Sequence, residues 1–342
     1  MKAVRFHEHG SRDVLRYEDA PDPVLGPGDV LVRVRACCVN RFDVSLRETG
    51  SRKNLPLPWT LGVEFAGEVA GWGSDVSGLA EGERVWVLHE LTCLRCEYCL
   101  AGKDNLCERP EMWGVDRPGG YAEYVAAPAW AVFPLHDTVS FEIAAASQAA
   151  WVTAWHMLTT RARVVPGETV LVSAAAGGVG LATVQVAKLA GARVIATAGS
   201  EEKRAFALAE GADEVIDHYG GDVTAQVLEL TDGRGVDVAI ENVGGELFMA
   251  CLGALRKDGR IVFCGGHGGA VVPFDLLPAF RSEWQVLGAR TGTTQEHRIV
   301  MQHVAEGKLT PHVHVALPLE ETREAHRVLE ENEHRGRVVV LP

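Results

Sequence analysis

The sequence predicts an α/β protein of two domains, a β-rich domain interrupted by a doubly wound parallel sheet. Three observations carry that expectation. From residue 168 to residue 266, apolar strand segments alternate with helical segments at a spacing that calls for right-handed parallel crossovers. Residues 1–130 hold short, closely spaced strand segments separated by Gly- and Pro-rich turns. The chain closes on a further strand, GRVVVLP at 336–342, which is expected to rejoin the first domain. The expected limits are 1–140, completed by 290–342, for the β-rich domain and 141–289 for the parallel-sheet domain.

In the first domain VLVRVRACCV (30–39), FAGEVAGWG (65–73) and RVWVL (84–88) read as strands, with turns at LGPGD (25–29) and GLAEGE (78–83). FEIAAASQAAWVTAWHMLTTRA (141–162) is Ala-rich with few breakers and reads as one helical run. ETVLVSAAAGGVG (168–180) is a strand entering a glycine turn, and LATVQVAKLAG (181–191) is a helix stopped by Gly191. Strands follow at ARVIATAGS (192–200), DEVID (213–217), VDVAIENVGG (236–245) and GRIVFCGG (259–266). Helices lie between them at 201–211, 222–231 and 246–256. Two more helices, 297–309 and 319–334, precede the closing strand.

A length of 342 residues suits two domains, and 47 % apolar residues suffice for two cores. No apolar run reaches the roughly 18 residues of a membrane span. MKAVRFHEHG lacks the apolar segment of a secretory leader. A cytoplasmic location is therefore expected, with no membrane partner. A net charge of −13 argues against nucleic acid, whose binding needs a cationic face.

Four of the eight cysteines fall in LTCLRCEYCLAGKDNLC as C-x2-C-x2-C-x7-C: Cys93, Cys96, Cys99 and Cys107. That is the ligand count of a closed tetrahedral Zn(Cys)4 site, with no open position for substrate, so one structural Zn2+ is expected. Cys37, Cys38, Cys251 and Cys264 lie in apolar, strand-like surroundings and read as buried reduced thiols.

Gly177, Gly178, Val179 and Gly180 follow a strand and open a helix. Glycines there let backbone N–H groups approach a pyrophosphate at the helix N-terminus, so the segment reads as a dinucleotide-binding loop. NAD sites carry an acid at the end of the second strand, for the ribose hydroxyls. Here Ala198, Gly199 and Ser200 occupy that turn, the first acid is Glu201, and Lys203 follows. Small residues beside a cation suit a 2′-phosphate, so NADP(H) is favoured over NAD(H).

These segments together resemble the medium-chain dehydrogenase/reductase superfamily, which holds zinc alcohol dehydrogenases and quinone oxidoreductase-like enzymes. The resemblance runs through LGVEFAGEVAGWG, the four-cysteine lobe, GGYAEYV, VTAWHML, AAAGGVGLATVQVAKLAGARVIATAGS, GADEVID, GRIVFCGG and GRVVVLP. It implies a GroES-like first domain, an inserted Rossmann fold, and an active site in the cleft between them.

One departure bears on function. By resemblance, a catalytic zinc would be held by Cys, His and Cys at positions that read Asn40, Val63 and Ala149 here. None offers a thiolate or imidazole. A displaced site using Cys38, His89 or Glu64 would need three donors converging on one point. His312 and His314, alternating on a strand, read as a surface pair. The Asn40-Arg41-x-Asp43 pattern instead resembles quinone oxidoreductases and enoyl reductases. Those pass a hydride from NADPH to a quinone or an electron-poor C=C, such as an enone or enoyl thioester. A zinc alcohol dehydrogenase with shifted ligands and a non-catalytic NADPH-binding protein are the alternatives.

The resemblance also proposes roles. Asn40 would meet the substrate carbonyl or an ordered water, and Thr153 would neighbour the nicotinamide ring. Arg41 would reach the cofactor diphosphate, and Arg337 would lie near the cofactor phosphates. Asn242, Val243, Cys264, Gly265 and Gly266 end parallel strands, where such sheets bind ligands. Thr291 would line the carboxamide side, and His218 or Tyr219 would face the adenosine phosphate. Asp43 and Glu64 would support the site, and Trp59 and Trp113 would border it. No proton donor stands out. The EWQVLGA segment (283–289) is expected to pair across a twofold axis in a homodimer or homotetramer.

Overall fold

Apolar residues alternate along the strand Asp29–Val39: Val30, Val32, Val34 and Ala36 are buried while Arg33 is exposed and Leu31 and Arg35 are half-buried. This pattern turns one face of the strand to the core. The strand pairs antiparallel with Glu64–Trp72, with Tyr124–Pro128 and with the closing strand Arg337–Leu341. The closing strand in turn runs parallel to Val313–Pro318.

The computed structural model describes residues 1–50 and 54–342. They divide into two units: Met1–Ala149 with His297–Ala305 and Pro311–Pro342, and Ala150–Glu296 with Glu306–Thr310. The first unit therefore extends to residue 149 where 140 was expected. The reason lies in helix Phe141–Ala146, whose Ala145 and Ala146 pack on Ala36, Cys38 and Val339. At the other end, residues 290–296 group with the second unit.

The helical run expected over 141–162 is broken into helices Phe141–Ala146 and Ala149–Trp155 and a π-helical turn, His156–Ala162. The first break has a long-range cause. Gln148 Nε2 donates to the Phe65 carbonyl at 2.9 Å, and the Ala149 N–H donates to Glu64 Oε2 at 2.6 Å. The Ala149 donor is thereby lost to the helical ladder.

In the second unit six strands form a parallel sheet, among the described residues. In spatial order they are Glu214–Asp217, Arg193–Ala198, Thr169–Val172, Val236–Glu241, Leu255–Phe263 and Gln285–Gly288. Numbered along the chain this is 3-2-1-4-5-6, the order of the doubly wound dinucleotide fold. Its central strands are buried on both faces: Thr169–Val172 and Val236–Glu241 are buried throughout. The order reverses between these two strands, so ligands are expected at their carboxyl ends. Gln285–Gly288 is an edge strand, and Val286 is exposed there. A short helix, Leu276–Arg281, is an element the sequence reading did not include. No helix among the described residues is long and apolar enough to cross a membrane.

Candidate functional site

The cysteine lobe brings the sulfurs of Cys93, Cys96, Cys99 and Cys107 within 4.8 Å of one another. A tetrahedral ion with Zn–S bonds of about 2.3 Å would place them about 3.8 Å apart. Cys96 and Cys99 are 3.5 Å apart, and Cys93 and Cys99 are 4.0 Å apart. Backbone N–H groups point at the sulfurs. Cys93 N–H and Arg109 N–H donate to Cys107 Sγ at 3.2 and 3.4 Å. The N–H of Arg95 pulls the Cys93 thiol down to about 6, aided by that of Cys96. The four donors fit structural zinc.

A second polar cluster forms where strand Asp29–Val39 turns into helix Arg41–Thr49. Asn40 caps that helix, and its N–H donates to Asp43 Oδ2 at 2.8 Å. Asp43 Oδ1 accepts from the Gly62 N–H at 3.1 Å. One buried carboxylate thus ties the segment carrying Asn40 to that carrying Val63 and Glu64. Burial pushes the Asp43 carboxyl up to about 7. Behind it, Tyr121 Oη meets His326 Nε2 at 3.2 Å, and Arg47 Nη1 meets His326 Nδ1 at 3.1 Å.

Glu64 is fully buried. Its Oε1 accepts from Asn40 Nδ2 at 2.7 Å and from Arg337 Nη2, and its Oε2 from the Ala149 N–H. Arg337 Nη2 also donates to Asn40 Oδ1 at 3.0 Å. Asn40, expected to face a substrate carbonyl, is therefore held on both sides of its amide. Its remaining N–H makes a long 3.4 Å contact with the Cys38 carbonyl. Arg337, expected near cofactor phosphates, is buried against Glu64, while its Nε has no hydrogen-bond partner among the described residues. Arg41 donates to the Leu329 carbonyl at 3.1 Å and to the Asn332 side chain.

The donor set at Asn40, Val63 and Ala149 does not fit a conventional zinc site. Among the described residues, the cysteine lobe is the one cluster of three or more metal-ligating side chains. Cys38 donates to the Val338 carbonyl at 3.3 Å, and burial pushes its thiol up to about 12. His89 packs its ring 4.8 Å from that of His297. Neither joins Glu64 as a ligand cluster.

In the second unit, strand Thr169–Val172 leads to Gly177, the N-cap of helix Gly178–Leu189. The first N–H groups of that helix have no intrahelical acceptor and are available to an anion. Gly180 is required by closeness: a Cβ there would lie 2.3 Å from the Ala174 carbonyl oxygen. Val179 and Gly178 complete the turn.

Across the switch point, Asn242 donates from its backbone to Ser173 Oγ at 3.1 Å and from Nδ2 to the Ser173 carbonyl at 3.2 Å. Glu241, buried beneath, accepts the N–H groups of Val243 and Gly244 at 2.8 and 2.9 Å. Cys264 N–H donates to the Glu241 carbonyl at 3.0 Å, and Gly265 and Gly266 follow. Burial holds the Cys264 thiol up at about 12, so it is no nucleophile at neutral pH.

At the end of strand Arg193–Ala198, Ser200 Oγ accepts from the Lys203 N–H at 3.2 Å and caps helix Glu201–Ala209. A Cβ on Gly199 would meet the Tyr219 ring at 2.4 Å and His218 Nε2 at 2.9 Å. His218 Nδ1 bonds Thr197 Oγ1 at 3.1 Å; burial lowers its pKa, and Lys203 and Arg204 add to this. Gly199, Ser200, Lys203, His218 and Tyr219 thus gather at one sheet end.

Thr153 is buried in helix Ala149–Trp155. Gly292, next to Thr291, lies so close to this helix that a Cβ would fall 2.5 Å from Val152 Cγ1. Trp113, expected at a cleft border, is instead a core residue that donates to the Leu88 carbonyl at 2.8 Å. Trp59 donates to the Gly114 carbonyl at 2.9 Å. Among the buried acids that went unread are Glu241 and Glu296. The second had a local signal, Thr293-x-x-Glu296, the spacing of a capping box.

Residues 26–137 match the alcohol dehydrogenase GroES-like domain, and residues 178–306 match the zinc-binding dehydrogenase domain. An NAD-dependent alcohol dehydrogenase of Sulfolobus acidocaldarius is 33 % identical, over 99 % of each chain. The quinone oxidoreductase of Mus musculus is 30 % identical, over 100 % of this chain and 98 % of that one. A crystal structure of an NAD-dependent alcohol dehydrogenase superposes with a TM-score of 0.95 at 40 % identity, over all of both chains. With the cysteine lobe, the 3-2-1-4-5-6 sheet and its glycine loop, these likenesses make the chain a member of the medium-chain dehydrogenase/reductase superfamily, an oxidoreductase family of GroES-like and Rossmann domains.

Proposed function

We propose that this oxidoreductase reduces a quinone or an activated C=C by hydride transfer from a nicotinamide dinucleotide, without a catalytic metal. One observation carries the reading: where a catalytic zinc would need thiolate and imidazole donors, the chain has Asn40, Val63 and Ala149, and the neighbouring Glu64 carboxylate is taken by Arg337, Asn40 and the Ala149 N–H.

The nicotinamide, when bound, supplies the hydride. The residues of the chain bind and orient. The glycine loop offers N–H groups to the diphosphate, and the unpartnered Nε of Arg337 is a donor that an anionic oxygen would satisfy. Thr153 and Thr291 are assigned to the nicotinamide. The Asn40 N–H now spent on its 3.4 Å contact is the donor assigned to a substrate carbonyl. An enone or quinone polarises its own electrophilic carbon, so a hydrogen bond to its oxygen suffices where an alcohol would need a Lewis acid. With no side chain of this chain assigned as acid, the proton that balances hydride addition at that carbon would come from water.

NADP(H) is the proposed cofactor, supported by Gly199, Ser200, Lys203 and His218 in place of a ribose-binding acid. The proposed assembly is a dimer or tetramer through the edge strand Gln285–Gly288. NADPH oxidation over a panel of quinones, enones and enoyl thioesters tests the reading. Turnover with at least one class is expected; an inert panel beside alcohol-dependent NAD+ reduction would overturn it.

A further inference from the structure

Glu296 joins two separate segments of the second unit, the start of its own helix and the π-helical turn His156–Ala162. Its Oε2 accepts from the backbone N–H of Thr293 at 2.7 Å and from Thr293 Oγ1 at 3.1 Å, while the Glu296 N–H donates back to Thr293 Oγ1 at 3.2 Å. This is the capping box that starts helix Thr294–Ala305. A cap uses one carboxylate oxygen. Here the other oxygen accepts from Thr160 Oγ1 at 2.5 Å, and His156 Nδ1 lies 3.1 and 2.9 Å from the two oxygens. His156 and Thr160 belong to the π-helical turn that continues the Thr153 helix. The wider winding is a feature that recurs at functional positions.

The loop is thereby drawn onto that helix. Gly292 tolerates no side chain, since its Cβ would lie 2.5 Å from Val152 Cγ1 and 2.8 Å from Glu296 Oε2. Val152 immediately precedes Thr153, and Gly292 immediately follows Thr291. Burial alone would raise the Glu296 carboxyl, but the hydrogen bonds from His156, Thr160 and Thr293 outweigh it and leave it lowered, an ionised acceptor.

We infer that Glu296 is a positioning residue for the nicotinamide: it fixes the spacing between the Thr291 loop and the Thr153 helix, and through it the plane in which the ring is held. The inference rests on the assignment of Thr153 and Thr291 to the nicotinamide.

Binding of NADH and NADPH, set against ADP-ribose and its 2′-phosphate, separates this role from general folding, since the latter pair lack the ring. Wild type, Glu296→Gln and the milder Thr160→Val are titrated calorimetrically. The expected result is that Glu296→Gln weakens the reduced dinucleotide about tenfold, and Thr160→Val about threefold, with ADP-ribose affinity unchanged. Glu296→Asp is expected to recover part of the loss. Equal weakening of both ligands would show a merely structural cap and overturn the inference, as would unchanged dinucleotide affinity in both variants. Failure of wild type to bind any reduced dinucleotide would instead remove the nicotinamide assignment itself, and the inference with it.

Discussion

Arg337 donates to Glu64 across 273 positions of sequence, and both side chains are buried. The pair places a fixed cation beside Asn40 and occupies the carboxylate. Removing one partner strands the other charge. Arg337→Leu is therefore expected to cost about 3–5 kcal/mol in urea unfolding, and removing both charges less than the sum of the single changes. A loss below about 1 kcal/mol would mean that the pair is no structural anchor.

Asp43 supplies a pH signature. Its carboxyl is raised from 3.8 to about 7 by burial, so the folded state favours the protonated form. That contribution is full below the unfolded value and is lost as pH rises through about 7. Its size is on the order of 4 kcal/mol at most. Asp43→Asn cannot ionise, so wild type should lose stability relative to the variant between pH 4 and pH 8. A difference that stays flat over that range would contradict the burial argument.

The cysteine lobe has little apolar interior of its own. Leu94, Leu100 and Leu106 are exposed, and its ordered turns converge on four sulfurs. Cys107→Ser, or prolonged chelation, should release one zinc per chain and open residues 92–110 to limited proteolysis. Intact resistance to protease after zinc loss would show that side-chain packing holds the lobe by itself.

The glycine loop and the ribose end make separable predictions. Gly180→Val puts side-chain atoms where the Ala174 carbonyl sits, so dinucleotide affinity should fall at least about tenfold, as judged by fluorescence titration. Gly199→Asp restores an acid at the strand end. The new side chain requires both the 82 % exposed Tyr219 ring and His218 Nε2, which a Cβ would meet at 2.4 and 2.9 Å, to shift. The ratio of kcat/KM for NADPH over NADH should drop in that variant. An unchanged ratio would remove this strand end from cofactor discrimination.

Local signals carried most of the fold. The alternation of Asp29–Val39, the glycine loop and the helix-stopping Gly191 are read within a few residues. The zinc lobe is also local, since fourteen positions separate Cys93 from Cys107. Long-range hydrogen bonds were not legible. The break at Gln148 and Ala149 depends on Phe65 and Glu64, more than eighty positions away. The same holds for Asn40, whose amide looked available until Arg337 closed on it from 297 positions downstream. Glu296 shows the intermediate case. Its capping box was written in Thr293-x-x-Glu296, but its reach to Thr160 spans 136 positions and shows only in the folded chain.

Zinc content of the active enzyme, counted per chain by plasma mass spectrometry alongside enone- or quinone-dependent NADPH oxidation, bears most directly on metal-free hydride transfer. One zinc per chain at full turnover is the predicted result. Two zinc ions per chain, with activity lost as the second is removed, would contradict it.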